Sequence, residues 1–270
     1  MATNVVICGA AGKMGQMLLR LGRTDQEITV VGATEVPDHP AVGRDAGQIA
    51  GGDPLGITIG DDLTAVARPD CVLIDFTTAL AALAHLRIAV ATGAAAVIGT
   101  TGFSHREEAE ARELAQRTRT VMAPNMSVGV NVLLGAVRHV ARALGEAFDV
   151  EIVELHHHHK KDAPSGTALA LARAAAETLD RPFPESAVFG RHGHVGERRH
   201  QEIGVLALRA GDATGDHTVV FGGIGERLEL THRSQNRECF ALGALRAAVW
   251  LPRQPRGLYS MADVLGLGPG

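Results

Sequence analysis

Short apolar runs alternate with helix-like segments through the first half of the chain. The runs that are typical of buried strands lie at Val5–Cys8, Ile28–Thr34, Cys71–Phe76, Ala95–Ile98 and Thr120–Ala123. The helix-like segments lie at Met14–Leu21, Ala79–Thr92 and Ser104–Arg117. Continuous apolar strands that alternate with helices are typical of a parallel sheet covered by helices on both faces. The pattern therefore predicts an α/β domain in this half.

The regular alternation of predicted strands and helices ends at about residue 127. A helix at Asn131–Gly145, a strand at Val150–Leu155 and a helix at Thr167–Leu179 come first. Three strand-like runs then follow without helices between them, at Ile203–Arg209, His217–Gly222 and Arg227–His232. Strands joined only by Gly/Asp turns favour an antiparallel or mixed sheet, so a smaller α+β domain is predicted here. A last helix is predicted at Arg237–Leu251.

A glycine-rich loop joins the first predicted strand to the first predicted helix. Its residues are Gly9, Ala10, Ala11, Gly12, Lys13, Met14 and Gly15. Glycines at such spacings permit a tight turn, the approach of backbone to a pyrophosphate, and close packing of helix on strand. Glu35 ends the second predicted strand, where a carboxylate can accept hydrogen bonds from an adenosine ribose. We expect a dinucleotide here, and a nicotinamide cofactor is favoured over a flavin because nothing else in the chain resembles a flavin site. The spacing also suits an ordinary strand–helix turn with Glu35 solvated.

The residues around Glu35 bear on the choice between NADH and NADPH. The Glu35 carboxylate repels a 2′-phosphate, and the next residue is Val36 rather than an arginine. NADH is therefore expected to be the preferred cofactor. Because Lys13 can reach a 2′-phosphate, use of NADPH stays open.

Two later loops follow predicted strands and are candidates for the nicotinamide end of the cofactor. One contains Gly99, Thr100 and Thr101, and the other contains Ala123, Pro124, Asn125 and Met126, followed by Ser127. Ligands of open α/β sheets bind outside the carboxyl ends of the strands, which favours this interpretation. The alternative is that the Thr and Ser hydroxyls of these loops only cap the helices that follow.

Composition and charge argue against several classes of protein. A formal net charge of −4 and an aromatic content of 3% give no reason to expect nucleic acid as a partner. The apolar stretch from Ala79 to Ile98 is interrupted by His85 and Arg87, which argues against a membrane span. The three cysteines are far apart, and the first residues lack the basic start of a signal peptide. We expect a cytoplasmic protein without a disulfide or a zinc site.

Candidate acid–base chemistry is concentrated in one segment of the second half. His156, His157, His158, His159, Lys160, Lys161 and Asp162 lead into the turn Ala163-Pro164-Ser165-Gly166-Thr167. Histidine exchanges protons near neutral pH, and crowding cations together lowers the pKa of some of them. The turn opens a helix whose first N–H groups attract an anion. This combination suits a small acidic substrate that has to be protonated.

Part of this segment has interpretations that involve no catalysis. Neighbouring histidines on one loop rarely converge on a single ion, and no His-Glu-x-x-His motif is present, so no metal is expected. His158, His159 and Lys161 are expected to form a solvated face, and Asp162 a turn. Ser165 is expected to be a helix cap that can also contact a ligand, because it lacks the context of a nucleophile.

A set of motifs extends along nearly the whole chain. They are Gly-Ala-Ala-Gly-Lys-Met-Gly (9–15), Gly-Thr-Thr-Gly-Phe (99–103), Asn-Met-Ser-Val-Gly-Val-Asn (125–131), Glu-Leu-His-His-His-His-Lys (154–160), Asp-Ala-Pro-Ser-Gly-Thr-Ala (162–168), Gly-His-Val-Gly-Glu-Arg (193–198), Arg-Ala-Gly-Asp (209–212) and Ile-Gly-Glu-Arg-Leu-Glu-Leu-Thr-His (224–232). Together they resemble the dihydrodipicolinate reductase family of bacterial lysine and diaminopimelate synthesis. The stretch from the histidines to Thr167 is the most specific part of this resemblance.

The resemblance implies hydride transfer from NAD(P)H to an unsaturated cyclic dicarboxylate, which yields tetrahydrodipicolinate. It implies that His156 is a proton donor and acceptor and that Lys160 supplies the proton. Substrate contacts would fall on His157, Ser165, Gly166 and Thr167. Cofactor contacts would fall on Gly9, Ala10, Ala11, Gly12, Lys13, Met14, Glu35, Gly99, Thr100, Thr101, Ala123, Pro124, Asn125 and Met126.

The resemblance also implies a domain organisation and an assembly. A Rossmann domain would span 1–127 and be completed by 237–270, and a domain for substrate binding and oligomerisation would span 128–236, in a homotetramer. Two positions depart from the family pattern: many members carry arginine where this chain has His158, and some carry arginine where it has Val36. The second departure puts strong use of NADPH in doubt.

Two other functions compete with this one. Another two-domain amino-acid dehydrogenase, for diaminopimelate or homoserine, is disfavoured by the His cluster and its Ser-Gly-Thr turn. A catalytically silent dinucleotide sensor has no need for Lys160 together with His156. The segment 191–200 has two open interpretations, closure over substrate and contact between subunits, and no catalytic role is assigned to it.

Overall fold

The structure is a computed structural model that describes residues 2–267, and these residues form two compact units. The first unit runs to Val128 and resumes over Glu238–Gly266, and the second comprises Gly129–Arg237 with Leu267. Within the described residues, no helix has both the length and the apolar character that a membrane span requires.

The strands and helices are numbered in chain order. The strands are β1 (Thr3–Cys8), β2 (Ile28–Thr34), β3 (Ile59–Gly60), β4 (Cys71–Asp75), β5 (Ala95–Ile98), β6 (Arg119–Met122), β7 (Asp149–His156), β8 (Ala187–Val188), β9 (Ile203–Arg209), β10 (Gly215–Gly222), β11 (Arg227–Ser234) and β12 (Gly257–Tyr259). The α-helices are α1 (Lys13–Gly22), α2 (Ala46–Ile49), α3 (Ala79–Thr92), α4 (His105–Gln116), α5 (Val128–Leu144), α6 (Gly166–Thr178), α7 (Glu238–Trp250) and α8 (Met261–Leu265). Short 3-10 helices lie at Leu63–Ala65, Gly145–Ala147 and Leu251–Arg253.

The first unit contains a parallel seven-stranded sheet. Its strand order is β12-β6-β5-β4-β1-β2-β3. All the recorded strand pairs in it are parallel. Six of these strands have the order of a doubly wound dinucleotide-binding fold, in which the order reverses between β1 and β4. The predicted fold class of this half is confirmed.

The core of the first unit lies on both faces of this sheet, as the apolar runs predicted. On one face, Ile7 and Ile74 pack with Leu19 of α1 and with α7. On the other face, Leu73 packs with Leu86 of α3. Each fully buried side chain of this size contributes about 1.5–3 kcal/mol. This burial fixes the strand ends that carry the candidate cofactor residues.

The second unit contains a mixed five-stranded sheet of order β11-β10-β7-β9-β8. β10 is antiparallel to β7 and β11, whereas β7 and β9 are parallel. Buried and half-buried positions alternate along β7, and its buried Val150 and Ile152 pack with α5 and α6. The prediction of a mixed sheet is confirmed.

Candidate active site

The glycine loop brings the start of α1 against the end of β1. Gly9 has a φ of +70°, in the left-handed region that favours glycine. A Cβ on Gly15 would lie 2.1 Å from the Gly9 carbonyl oxygen and 2.7 Å from Ala10 Cα. Only glycine allows this approach, so the loop has the close packing that the sequence predicts for a dinucleotide cradle.

The first turn of α1 has no side-chain cap. Gly12 is its N-cap and provides no side chain for capping. Lys13 is exposed, and Met14 is half-buried. An uncapped helix start presents N–H donors and the positive end of the helix dipole, which is the usual setting for a phosphate.

Glu35 ties the end of β2 to this loop. Its Oε1 accepts a hydrogen bond from Ala11 N at 2.8 Å, and its Oε2 accepts one from Val36 N at 3.1 Å. Val36 is 60% exposed. The carboxylate is therefore held beside the glycine loop, where the sequence analysis places the ribose.

The two later loops lie at the carboxyl ends of β5 and β6. Thr100 is buried, Gly99 is half-buried and Thr101 is exposed. A Cβ on Gly99 would lie 2.2 Å from the Phe76 ring, so Gly99 is required for packing. In the second loop, Ala123 and Met126 are buried, Asn125 is half-buried and Pro124 is exposed. Asn125 Oδ1 accepts a hydrogen bond from Ser127 N at 2.9 Å, which fixes this turn.

A buried carboxylate that the sequence analysis missed organises the end of β4. Asp75 is fully buried, and its Oδ2 lies 2.5 Å from His85 Nδ1. Its Oδ1 accepts hydrogen bonds from the hydroxyls of Thr77 at 2.7 Å and Thr100 at 2.8 Å. Burial raises the pKa of Asp75, but the hydrogen bond and charge of His85 outweigh it and leave the pKa below its usual value. Thr100 thus binds this carboxylate, which was not among the two interpretations of its loop.

Cys8, Asp75 and His85 are the one group of three potential metal ligands recorded within residues 2–267, with ligand atoms within 4.8 Å of one another. Asp75 already accepts hydrogen bonds on both oxygens. Burial, together with the charge of Asp75, raises the pKa of the Cys8 thiol well above its usual value, which disfavours the thiolate. This trio is better suited to hydrogen bonding than to metal coordination.

In the second unit, His156 ends β7 and is 8% exposed. Its Nδ1 lies 2.5 Å from Glu154 Oε2. Arg209, at the end of the neighbouring β9, binds the same carboxylate at 2.9 and 3.0 Å. Glu154 and Arg209 both lie in motifs that the sequence analysis noted, but no role was derived for either. The strand register supplies the connection, because His156 is paired with Arg209 in the sheet.

The loop after β7 carries the other candidate proton donor. Lys160 Nζ lies 2.9 Å from Asp162 Oδ2, and the Lys160 side chain is 20% exposed. The hydrogen bond and charge of Lys160 lower the pKa of Asp162. His158, His159 and Lys161 are exposed, in agreement with a solvated face.

His157 lies between the buried and exposed parts of the cluster. Burial is the largest cause that lowers the pKa of His157, and the charges of His159 and Arg237 lower it further. This is the direction expected when several cationic side chains lie close together. The Nδ1 of His157 is buried and has no hydrogen-bond partner among residues 2–267. A ligand that donates or accepts a hydrogen bond there would satisfy this atom.

Ser165 caps α6, as predicted, and it has a second partner that the sequence analysis missed. Its Oγ accepts a hydrogen bond from Ala168 N at 3.1 Å and lies 2.9 Å from His217 Nε2. His217 is 3% exposed, and burial lowers its pKa to about 4. The neutral imidazole can accept a hydrogen bond from the Ser165 hydroxyl. Gly166 is exposed and Thr167 is half-buried at the start of this helix.

The acid sensitivity of the fold is expected to depend on His217. Its pKa is about 4 when folded, against an ordinary 6.5, so the unfolded chain binds the proton first as the pH falls. The stability present above pH 6.5 is therefore lost between pH 6.5 and 4, by about 3 kcal/mol. Urea unfolding across this range should show a weaker pH dependence in His217→Gln than in wild type. The exposed His139→Gln is the matched control, and an unchanged slope in His217→Gln would contradict the assignment.

The segment 191–200 is held by ion pairs to β7. Arg191 binds both carboxylate oxygens of Glu151, at 2.9 and 3.0 Å. Arg198 binds Glu151 at 2.9 Å and Asp149 at 2.6 Å. These two arginines neutralise acidic side chains of the strand.

Comparison with known proteins agrees with these features. The family described as "Dihydrodipicolinate reductase, N-terminus" matches residues 3–126, and "Dihydrodipicolinate reductase, C-terminus" matches residues 129–265. The chain belongs to the dihydrodipicolinate reductase family. Dihydrodipicolinate reductases are pyridine-nucleotide-dependent oxidoreductases, so the predicted family and class of enzyme are confirmed.

Curated relatives in the dihydrodipicolinate reductase family match the chain over nearly its full length. A 4-hydroxy-tetrahydrodipicolinate reductase of Anaeromyxobacter dehalogenans strain 2CP-1 is 51% identical over 268 residues, which cover 99% of each chain. The enzyme of that name from Syntrophobacter fumaroxidans is 50% identical, covering 98% of this chain and 99% of its own. A dipicolinate-bound dihydrodipicolinate reductase from Paenisporosarcina sp. TG-14 has the same fold, with a TM-score of 0.73 at 24% identity over 97% of this chain and 99% of that one.

Proposed function

We propose that this chain converts 4-hydroxy-tetrahydrodipicolinate, NAD(P)H and a proton to tetrahydrodipicolinate, NAD(P)+ and water, in lysine and diaminopimelate synthesis. The observation that carries the proposal is the buried Glu154–His156 pair. It lies in the motif that also contains Lys160, and the capped start of α6 follows in the next motif. Family membership and relatives of this name at about half identity support it.

We assign dinucleotide binding to 1–127 with 237–270, and substrate binding to 128–236. The residues that would hold the dinucleotide are Gly9, Ala10, Ala11, Gly12, Lys13, Met14, Glu35, Gly99, Thr100, Thr101, Ala123, Pro124, Asn125 and Met126. The close approach at Gly15 and the uncapped start of α1 fit a pyrophosphate. When bound, the nicotinamide supplies the hydride.

The protein's own residues then supply charge, position and a proton. A substrate carboxylate fits the first turn of α6, at Ser165, Gly166 and Thr167, because the helix dipole is positive there. His157 offers a buried Nδ1 without a partner among the described residues. Reduction of the ring also consumes a proton, which we assign to Lys160, with His156 as a further donor and acceptor.

The test is cofactor oxidation with freshly generated dihydrodipicolinate, measured with NADH and NADPH in parallel. Rapid turnover is expected with at least one of them. Turnover of diaminopimelate or homoserine instead would favour a different dehydrogenase. Tight dinucleotide binding without turnover of any of these substrates would favour the sensor.

NADH is expected to be the better cofactor because Glu35 is fixed beside the glycine loop. Glu35→Ser should raise kcat/KM for NADPH relative to NADH about tenfold, since removing one charge near a phosphate changes binding by about 1.4 kcal/mol. Steady-state kinetics with both cofactors check this ratio. Glu27→Ser, which removes the same charge before β2, is the matched control and should leave the ratio unchanged. A ratio that is unchanged in Glu35→Ser would contradict the assigned role.

We also propose a cytoplasmic homotetramer, which rests on the family resemblance. The proposed substrate is a small dicarboxylate, and neither nucleic acid nor membrane is expected as a partner. Sedimentation velocity that finds a monomer at micromolar concentration would overturn the tetramer.

A further inference from the structure

One carboxylate in the second unit is in contact with three parts of the proposed active site. Glu154 Oε2 lies 2.5 Å from His156 Nδ1 and 2.9 Å from Arg209 Nη1. Glu154 Oε1 accepts hydrogen bonds from Ser165 N and Arg209 Nη2, both at 3.0 Å. The Glu154 side chain is fully buried. A carboxylate has about four acceptor sites, so these four contacts account for its whole capacity.

We propose that Glu154 is the positioning residue of the active site, which holds His156 with its proton on Nδ1 and thereby leaves Nε2 as the atom that exchanges protons. This proposal rests on the proposed function for its catalytic meaning. The arrangement of hydrogen bonds does not depend on the proposed function, because it concerns only which nitrogen of His156 carries hydrogen in the resting protein.

The carboxylate of Glu154 favours the Nδ1–H form of His156. An ionised carboxylate only accepts hydrogen bonds, so a bond to His156 requires a hydrogen on Nδ1. Burial raises the pKa of Glu154, but the hydrogen bonds from Arg209, His156 and Ser165 outweigh it and keep the carboxylate ionised. The other form of the neutral ring would set two lone pairs against each other at 2.5 Å.

The surroundings of Nε2 support the same assignment. A Cβ on Gly215 would lie 2.8 Å from His156 Nε2, so glycine at this position leaves space beside that nitrogen. The His217 ring is 5.2 Å from the His156 ring, edge to face, but its Nε2 is directed at Ser165 Oγ. Among the described residues, no hydrogen bond is recorded at His156 Nε2 that would compete with a ligand.

Arg209 extends the effect of Glu154 to the lysine loop. Its Nη2 donates to the Asp162 carbonyl oxygen at 2.6 Å, in addition to Glu154. Asp162 in turn binds Lys160 through its side chain. The Glu154–Arg209 pair therefore connects the end of β7, the start of α6 and the loop that carries Lys160. A bidentate pair of this kind fixes direction as well as distance.

The first measurement is the protonation pattern of His156 in the full-length protein labelled with ¹⁵N-histidine. Long-range ¹H–¹⁵N spectra distinguish the two neutral forms, and His156→Gln identifies the signals of this residue among the 13 histidines. We expect hydrogen on Nδ1 in wild type. Hydrogen on Nε2 alone in wild-type protein would overturn the proposal, whether or not any variant folds.

The second measurement compares Glu154→Gln with Glu151→Gln. Both replace a glutamate of β7 that binds an arginine through both oxygens, but Glu151 binds Arg191 and has no histidine partner among its recorded contacts. The amide of Glu154→Gln can donate to Nδ1, so the Nε2–H form should become populated. We expect kcat to fall about 10–100-fold with KM changed much less, which is the size of loss typical of hydrogen-bond partners that orient metal-binding histidines. Glu151→Gln should keep both the wild-type spectrum and kcat.

The two readouts separate this proposal from the proposed function. A wild-type protein with the Nδ1–H form but no reductase activity would overturn the function and leave the arrangement of hydrogen bonds intact. An active protein whose His156 spectrum and kcat are unchanged in Glu154→Gln would overturn the positioning role alone.

Discussion

Replacement of Lys160 by alanine is expected to lower kcat about 10²–10⁴-fold, with little change in KM. This is the effect of removing a positioned acid, since the proton is transferred in the transition state while the ground state is bound largely by other groups. The structure favours Lys160 over Lys161 for this role. Lys160 is held at 2.9 Å by Asp162 and has a side chain only 20% exposed, whereas Lys161 is exposed.

Lys161→Ala is the matched control, because it removes the same charge one residue away. It should retain nearly wild-type kcat, since an exposed side chain contributes only diffuse electrostatic attraction to an acidic substrate. Steady-state kinetics on both variants, with cofactor saturating, check the pair. A large rise in KM with unchanged kcat in Lys160→Ala would assign Lys160 to substrate binding and leave the proton to His156.

The fold was predictable because its main signals are local. The runs at β2, β5 and β9 and the helix α3 have the bounds that the apolar pattern predicts. Buried parallel strands have apolar side chains on both faces, so each is recognisable without knowledge of its neighbours. β3, β8 and β12 contain two or three residues each, too few to show any period. They form only because longer neighbours provide their hydrogen-bond partners.

The residues of the candidate site also divide into those that are recognisable from local sequence and those that are not. His156, Lys160 and Ser165 lie within one short segment, so their chemistry is visible in the sequence. Arg209 and His217 reach this segment through the register of the sheet, in which Arg209 is paired with His156 and His217 with Glu154.

A similar limit applied to Asp75. Its sequence context is an ordinary strand end, and only the packing of α3 brings His85 to its carboxylate. Contacts between residues far apart in the chain, or between a strand and the helix after it, leave no periodic signal in one sequence.

Replacement of Gly15 by alanine is expected to abolish detectable dinucleotide binding and to destabilise the first unit by about 3 kcal/mol or more. The added methyl carbon would lie 2.1 Å from the Gly9 carbonyl oxygen and 2.9 Å from the Ala10 carbonyl carbon. Both contacts are backbone, which no side-chain rotation can relieve. The start of α1 has to move away from β1, and the N–H groups that would hold a pyrophosphate move with it.

Calorimetric titration with NADH and urea unfolding measure the two effects separately. Gly135→Ala in α5 is the matched control, because its nearest new contact, Leu267 Cδ1, is 3.7 Å away. It should leave binding unchanged and raise stability by about 0.5–1 kcal/mol through the better helix propensity of alanine.

Gly12→Ala covers the case in which Gly15→Ala does not fold: its Cβ would lie 3.2 Å from the Gly9 oxygen, a milder contact. That variant should fold and bind NADH more weakly, because the methyl group would stand at the helix start where the backbone has to approach the phosphates. Wild-type affinity for NADH in Gly12→Ala, or in Gly15→Ala if that variant folds, would show that the dinucleotide does not use this loop.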